Sequence, residues 1–316
     1  MNQGGALNSP TSHTIFTQVR ELLLVQNESE GRPTRQIAIN RRNAIKLLAA
    51  GGASVAGCLV DGYLIEPDFL SVTLKDVVSK SLPPGLDGLR VALLSDFHYR
   101  PGTNEALVNK VVARILMEKP DIIALTGDFM NGNPRVIAPL LERLQKMTAT
   151  HGIFAVMGNH DGWAGNRDII RRQFEKAGIS FLINEHSLLT IRGDSLAVAG
   201  TDFVWLGKPD PARTLRGVAT KTPVLALVHE PDYFDTMTAH REIMLQVSGH
   251  SHGGQCRVPI IGYAPRTVKY GTKYVEGAFS NNGSNLFVTR GVGTTGPNVR
   301  FACPPELAIL TLRRVA

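Results

Sequence analysis

Five of the nine histidines in the 316-residue chain sit in short polar clusters, each just past an apolar run. The clusters are Asp96-Phe97-His98, Gly127-Asp128, Gly158-Asn159-His160-Asp161, His229-Glu230 and Gly249-His250-Ser251-His252. Imidazole, carboxylate and amide groups are ligands for first-row divalent metals. Two such ions, roughly 3.5 to 4 Å apart, need a carboxylate that bridges them. Asp128 is the expected bridge. Asp96, His98 and His252 would complete the shell of one ion, and Asn159, His229 and His250 that of the other. Two dications against two carboxylates leave surplus positive charge, which attracts a phosphate, polarises its P–O bonds and lowers the pKa of bound water. Hydrolysis of a phosphoester uses all three effects. His160, next to a ligand, is expected over the site, donating a proton to the leaving oxygen or a hydrogen bond to the developing phosphorane charge. Asp161 would orient and charge its ring.

Side chains so far apart in sequence need a scaffold that brings them together, and carboxyl ends of strands in α/β sheets do this. Alternate residues of an extended segment point the same way, so Asp96 and His98 would share a site, as would His250 and His252. The pattern predicts strands over 91–95, 122–126 and 153–157, and helices over 105–119, 134–147 and 167–177. Strands dominate afterwards, over 188–191, 196–199, 223–228, 244–247, 285–289 and 307–312. Two packed sheets with helices outside are expected.

Composition narrows the class. With 43% hydrophobic and 19% charged residues the chain is neither collagen, coiled coil nor disordered throughout. A formal charge of +7 favours an anionic substrate or surface, but the basic residues are scattered, and 6% aromatic content offers few stacking platforms for a polynucleotide. No nucleic-acid partner is expected. Three cysteines, Cys58, Cys256 and Cys303, define neither a disulfide framework nor a zinc-thiolate site. A Cys256–Cys303 bond after export is an open alternative.

Residues 1–38 are polar and expected to be disordered. Residues 39–65 resemble a twin-arginine export signal: Asn40-Arg41-Arg42-Asn43-Ala44-Ile45-Lys46 leads into an uncharged run over 47–60. That run is short for a bilayer span. Retention as an anchor, cleavage after Ala56, lipidation of Cys58 within Val55-Ala56-Gly57-Cys58, and an ordinary helix all remain open. Residues 66–316 read as one domain.

The five clusters, in this order, resemble the calcineurin-like metallophosphoesterase family over roughly residues 85–316. The resemblance implies a four-layer α/β/β/α sandwich with two mixed sheets, a dinuclear centre of manganese, iron or zinc, and a metal-bound hydroxide attacking phosphorus in line. Gly249 through Gln255, Thr289-Arg290-Gly291-Val292-Gly293 and the leader resemble an exported bacterial phosphodiesterase branch, akin to UDP-2,3-diacylglucosamine pyrophosphatases of lipid A synthesis. The expected enzyme cleaves phosphodiesters or pyrophosphates, on a small-molecule or lipid-linked substrate, at the cell envelope. It would reach the envelope through the twin-arginine export machinery and meet a membrane surface, anchored or periplasmic. Lipid A precursor cleavage is the enzymatic alternative, and a non-catalytic scaffold the alternative of another class. Beside these residues, Glu230 reads as a solvated loop carboxylate or, as the alternative, a supporting partner of a ligating histidine, Arg290 as either a phosphate contact or a structural ion pair, and Gly127, Gly158 and Gly249 as either turn punctuation or points of close backbone approach.

Overall fold

The apolar runs preceding the polar clusters form the middles of two six-stranded sheets. A computed structural model describes residues 41–258, 262–263 and 268–315. The first sheet contains β1 (Ser71–Ser79), β2 (Arg90–Leu94), β3 (Ile122–Leu125), β4 (Ile153–Ala155) and β5 (Ser180–Phe181). The second contains β6 (Glu185–Ile191), β7 (Asp194–Gly200), β8 (Val224–Leu227) and β9 (Leu245–Ser248). A two-stranded ribbon of β10 (Arg257–Val258) and β11 (Gly262–Tyr263) follows, then β12 (Gly277–Asn281) and β13 (Ser284–Val288) of the second sheet, and β14 (Glu306–Arg314) of the first. The strand orders are β1-β14-β2-β3-β4-β5 and β12-β13-β9-β8-β7-β6. Both sheets are mixed. β14 runs antiparallel to β2 and parallel to β1, while β6–β7 and β12–β13 are the antiparallel pairs of the second sheet.

Successive residues of a strand point to opposite faces, which sorts the side chains into layers. Val91, Leu93, Ile122 and Ala124 of the first sheet pack against Leu196, Val198, Leu225, Leu227 and Val247 of the second. Their neighbours Ala92, Leu94, Ile123 and Leu125 face outward onto helices. Among the described residues the helices are α1 (Arg41–Val60), which contributes nothing to these clusters, α2 (Glu105–Glu118), α3 (Ile137–Leu144), α4 (Asn159–Ala164), α5 (Arg167–Lys176), α6 (Pro211–Thr214) and α7 (Phe234–His240). Leu107, Val108, Val111 and Ile115 of α2 cover the first sheet with Leu140 and Leu144 of α3 and Ile170 and Phe174 of α5. Met237 of α7 covers Ala197, Ala199, Val224 and Ala226 on the far face of the second. The result is the expected four-layer α/β/β/α sandwich.

Helix 134–147 of the sequence reading divides into a 3₁₀ turn, Pro134–Val136, and the shorter α3. The turn starts where the Asn133 side chain accepts the Arg135 N–H. The chain separates into two units, residues 1–51 and 52–316. The expected disorder of residues 1–38 lies outside the described residues. Arg41 and Arg42 open α1, and Cys58 is exposed near its end. Among the described residues no helix is long and apolar enough to cross a membrane.

Candidate metal centre

The loops leaving β2, β3, β8 and β9 and the β4–α4 junction carry the polar clusters, and after β2, β3 and β9 the backbone departs from the extended form. Asp96, His98, Asp128, His250 and His252 have φ of 53°, 38°, 54°, 70° and 51°. The pairs Asp96/His98 and His250/His252 therefore converge through left-handed turns and not through strand alternation. Such angles cost a non-glycine residue about 1–3 kcal/mol each and need surrounding structure to enforce them. Here the Asp96 N–H donates to Gly127 O and the His98 N–H to Asp128 O, both at 2.9 Å. Glycines admit the close approach. A β-carbon on Gly249 would lie 2.2 Å from Asp96 Oδ2, one on Gly158 2.2 Å from Asp128 Oδ1, and one on Gly127 2.4 Å from Gly158 N. Gly291 lies behind Asp96 in the same way, and the loop holding it is fixed by the fully buried Arg300, whose Nη2 donates to the carbonyls of Arg290, Gly291 and Gly293.

The seven predicted ligands come together and all are buried. Asp96, His98 and His252 form one group of mutually close donor atoms, and Asp128, His229 and His250 another. His98 Nε2 lies 3.1 Å from His252 Nε2, and His252 Nε2 3.6 Å from Asp96 Oδ1. Across the cluster His229 Nε2 is 3.1 Å from both Asn159 Oδ1 and His250 Nδ1. Asp128 joins the two groups, its Oδ2 lying 3.5 Å from His98 Nε2 and 3.3 Å from His229 Nε2. Backbone carbonyls fix two rings, Thr126 O facing His229 Nδ1 at 2.6 Å and Lys269 O facing His250 Nε2 at 2.7 Å.

Three of the four ligand imidazoles are held neutral. Burial pushes His98 down to about 4 and His250 down to about 3, and holds His252 well below its ordinary value. Neutral imidazoles present a lone pair, as metal ligation requires. Burial, opposed by His229 and reinforced by Asp128, pushes the Asp96 carboxyl up to about 7. Burial would also raise Asp128, but the charge and hydrogen bond of His229 hold it well below the usual carboxylate range, and His229 is held well above its own. Donor atoms 3.1 to 3.6 Å apart also match the geometry. Ligands at about 2.1 Å from a cation are separated by about 3.0 Å in an octahedron and 3.4 Å in a tetrahedron. These residues fit a pair of divalent ions.

His160 stands at the edge of the cluster. Its N–H donates to Asp128 Oδ1 at 2.9 Å, and its half-buried ring meets that of His98 edge-on at 4.8 Å. Asp161 does not orient that ring. Its carboxylate accepts the backbone N–H groups of Phe129, Met130 and Gly158 and so joins the β3 and β4 loops. Burial, reinforced by the charge of Asp128, pushes it up to about 8. Glu230 is likewise not solvated. It is fully buried and accepts the N–H groups of Val204 and Trp205 at 2.8 Å each. Arg290 is an ion-pair partner of Glu306, at 3.2 Å, and lies 4.0 Å from Glu276. Cys256 and Cys303 are not bonded to each other. Sequence reasoning missed Trp163 and Trp205, whose rings border His160 and His250; no spacing signal marks them.

Residues 89–254 match the family model described as calcineurin-like phosphoesterase. The chain is 30% identical over 286 residues to the uncharacterized metallophosphoesterase YkuE of Bacillus subtilis, a match covering 87% of this chain and 98% of that protein. It is 32% identical over 233 residues to the phosphodiesterase YaeI of Escherichia coli, covering 71% of this chain and 82% of that one. Among solved structures, a dimetal phosphatase from Danio rerio gives a TM-score of 0.46 at 12% identity, covering 72% of this chain and 93% of that one.

Proposed function

The chain belongs to the calcineurin-like phosphoesterase family and is a metal-dependent hydrolase of phosphoesters, and from this we propose that it cleaves phosphodiester or pyrophosphate bonds at the cell envelope. One observation carries the reading: a single carboxylate, Asp128, reaches both groups of buried donors, within 3.5 Å of His98 and 3.3 Å of His229. Asp96, His98, Asp128 and His252 would hold one ion, and Asp128, Asn159, His229 and His250 the other. When bound, two such ions neutralise phosphate charge and lower the pKa of water.

The remaining work falls to the protein. The left-handed turns and the glycines beside them hold the donors at ligand spacing. His160, anchored through its N–H but with a half-buried ring, is positioned to give a proton or a hydrogen bond to the leaving oxygen. Asp161 holds the loops beneath it.

The diester preference draws support from the similarity to a protein named as a phosphodiesterase. The envelope location rests on the twin-arginine-like leader and on exposed apolar side chains at Val55, Leu59, Tyr63, Leu64, Ile65 and Phe69, which suit a membrane surface and a lipid-linked substrate. Manganese, iron and zinc are the metals to try. The test is a hydrolysis panel with each metal, covering diester model compounds, nucleotide diesters, UDP-sugar lipids and phosphomonoesters. Cleavage of diesters or pyrophosphates that Asp128→Asn abolishes supports the assignment. Cleavage of monoesters alone overturns it.

A further inference from the structure

Both tryptophans of the chain meet at one edge of the metal centre. Trp163 stands on α4, the helix that opens at Asn159, with its ring 5.1 Å from that of His160. The Trp205 ring lies 4.9 Å from Trp163 at 88° and 6.4 Å from His250 at 89°. Trp163 is 45% exposed and Leu206, after Trp205, is 77% exposed. Burial in a core does not account for the pair. Neither indole is among the fully buried side chains, and each borders a ring of the metal-centre cluster.

The backbones beneath them are fixed from the centre itself. Glu230, next to His229, accepts the N–H groups of Val204 and Trp205 and is fully buried. Trp163 lies one helical turn beyond Asn159. Trp163 thus shares a helix with the predicted ligand Asn159, and the Trp205 backbone is held by the neighbour of the predicted ligand His229.

We propose that Trp163 and Trp205 form a stacking platform that selects phosphoesters carrying a planar aromatic group next to the scissile phosphate. This rests on the phosphoesterase reading and adds the substrate class. The two indoles already pack edge to face, the arrangement in which aromatic rings associate, and the exposed Trp163 ring offers a further planar group a contact of the same kind. Stacking of this kind tolerates many rings, so a nucleobase and a simple aryl ester share the chemistry.

The full chain, loaded with Zn²⁺, is titrated with AMP, phenyl phosphate and ribose 5-phosphate while its indole fluorescence, selectively excited at wavelengths where tyrosine does not absorb and so supplied by these two tryptophans, is followed. Saturable quenching by AMP or by phenyl phosphate, with a much weaker response to ribose 5-phosphate, is expected. A response to AMP alone identifies a nucleobase site, and a response to phenyl phosphate alone an aryl site. In parallel, Trp163→Ala should raise KM for the p-nitrophenyl ester of thymidine monophosphate by about tenfold. It should leave metal content unchanged and raise KM for an aliphatic glycerophosphodiester much less than for the aromatic ester, and Trp163→Phe should restore most of the loss. Equal quenching by all three ligands, no quenching, or equal changes for both esters would overturn the platform while leaving the phosphoesterase intact. Selective quenching without hydrolysis of any ester would overturn the phosphoesterase reading and leave the platform standing.

Discussion

Oδ1 of Asp128 lies where a β-carbon on Gly158 would have to sit, 2.2 Å away, and the same oxygen accepts the His160 N–H at 2.9 Å. Gly158 is thus the clearance that lets the bridging carboxylate and the neighbouring helix meet. Gly158→Ala should displace one or the other, and displacement of about 1 Å costs roughly 100-fold in turnover. Metal analysis together with kcat should show both falling while the far-ultraviolet circular dichroism is retained. Retained turnover would show that the loop yields without consequence.

His160 and Asp161 are adjacent but separable. His160→Ala should leave the metal content near that of the parent and lower kcat by roughly 100- to 10,000-fold, the usual contribution of a positioned acid or base. Loss of metal in that variant would make His160 a ligand instead.

Asp161→Ala removes the acceptor of three buried backbone N–H groups. Each unpaired group costs about 1–3 kcal/mol, so the variant should lose several degrees in Tm, with or without metal. A melting temperature equal to the parent's would mean that water replaces the carboxylate at no cost.

Chelation should destabilise the fold because the site gathers two carboxylates and four imidazoles with little solvent. A ligand at about 1,000 times its Kd contributes about 4 kcal/mol. EDTA should therefore lower Tm, added divalent metal should restore it, and Asp128→Asn should respond to neither. A chelator effect in Asp128→Asn as large as the parent's would place the stabilising metal elsewhere.

Glu118 provides an acid-sensitive contact away from the site. Burial raises its carboxyl, but hydrogen bonds from Arg90 and Arg114 outweigh that and hold it below its ordinary value. A depressed carboxylate contributes stability that is full above its unfolded pKa, about 4.3, and is lost as pH falls through the folded value. Glu118→Gln should lower Tm at pH 7, and the gap to the parent should narrow toward pH 3. A gap that does not vary with pH would assign the effect to packing.

The layer order was readable because β2, β3, β8 and β9 are short apolar runs bounded by polar residues, and a sheet covered on both faces leaves that pattern. β1 was not readable, since its Leu74 and Val78 point into solvent on an edge strand that also carries Lys75 and Asp76. β5 and β12 are too short or too polar to show a period. At the site, residue type and position after a strand were enough to bring seven side chains together on paper. The left-handed angles that do so were hidden, because nothing in Asp96 or His98 announces a positive φ. Glu230 reads as a surface acid and Asp161 as the partner of the His160 ring, because a carboxylate that binds backbone N–H groups has no sequence signature.

β14 lies between β1 and β2, paired along its length with the former, from Ser71 opposite Glu306 to Ser79 opposite Arg314. During translation, then, the first sheet stays split until a segment made more than two hundred residues after β1 emerges to fill the gap. A ribosome that stops short of residue 306 releases a protein with two unpaired inner strand edges, open to proteases and to neighbouring chains. Closure of the first sheet therefore waits on the synthesis of β14.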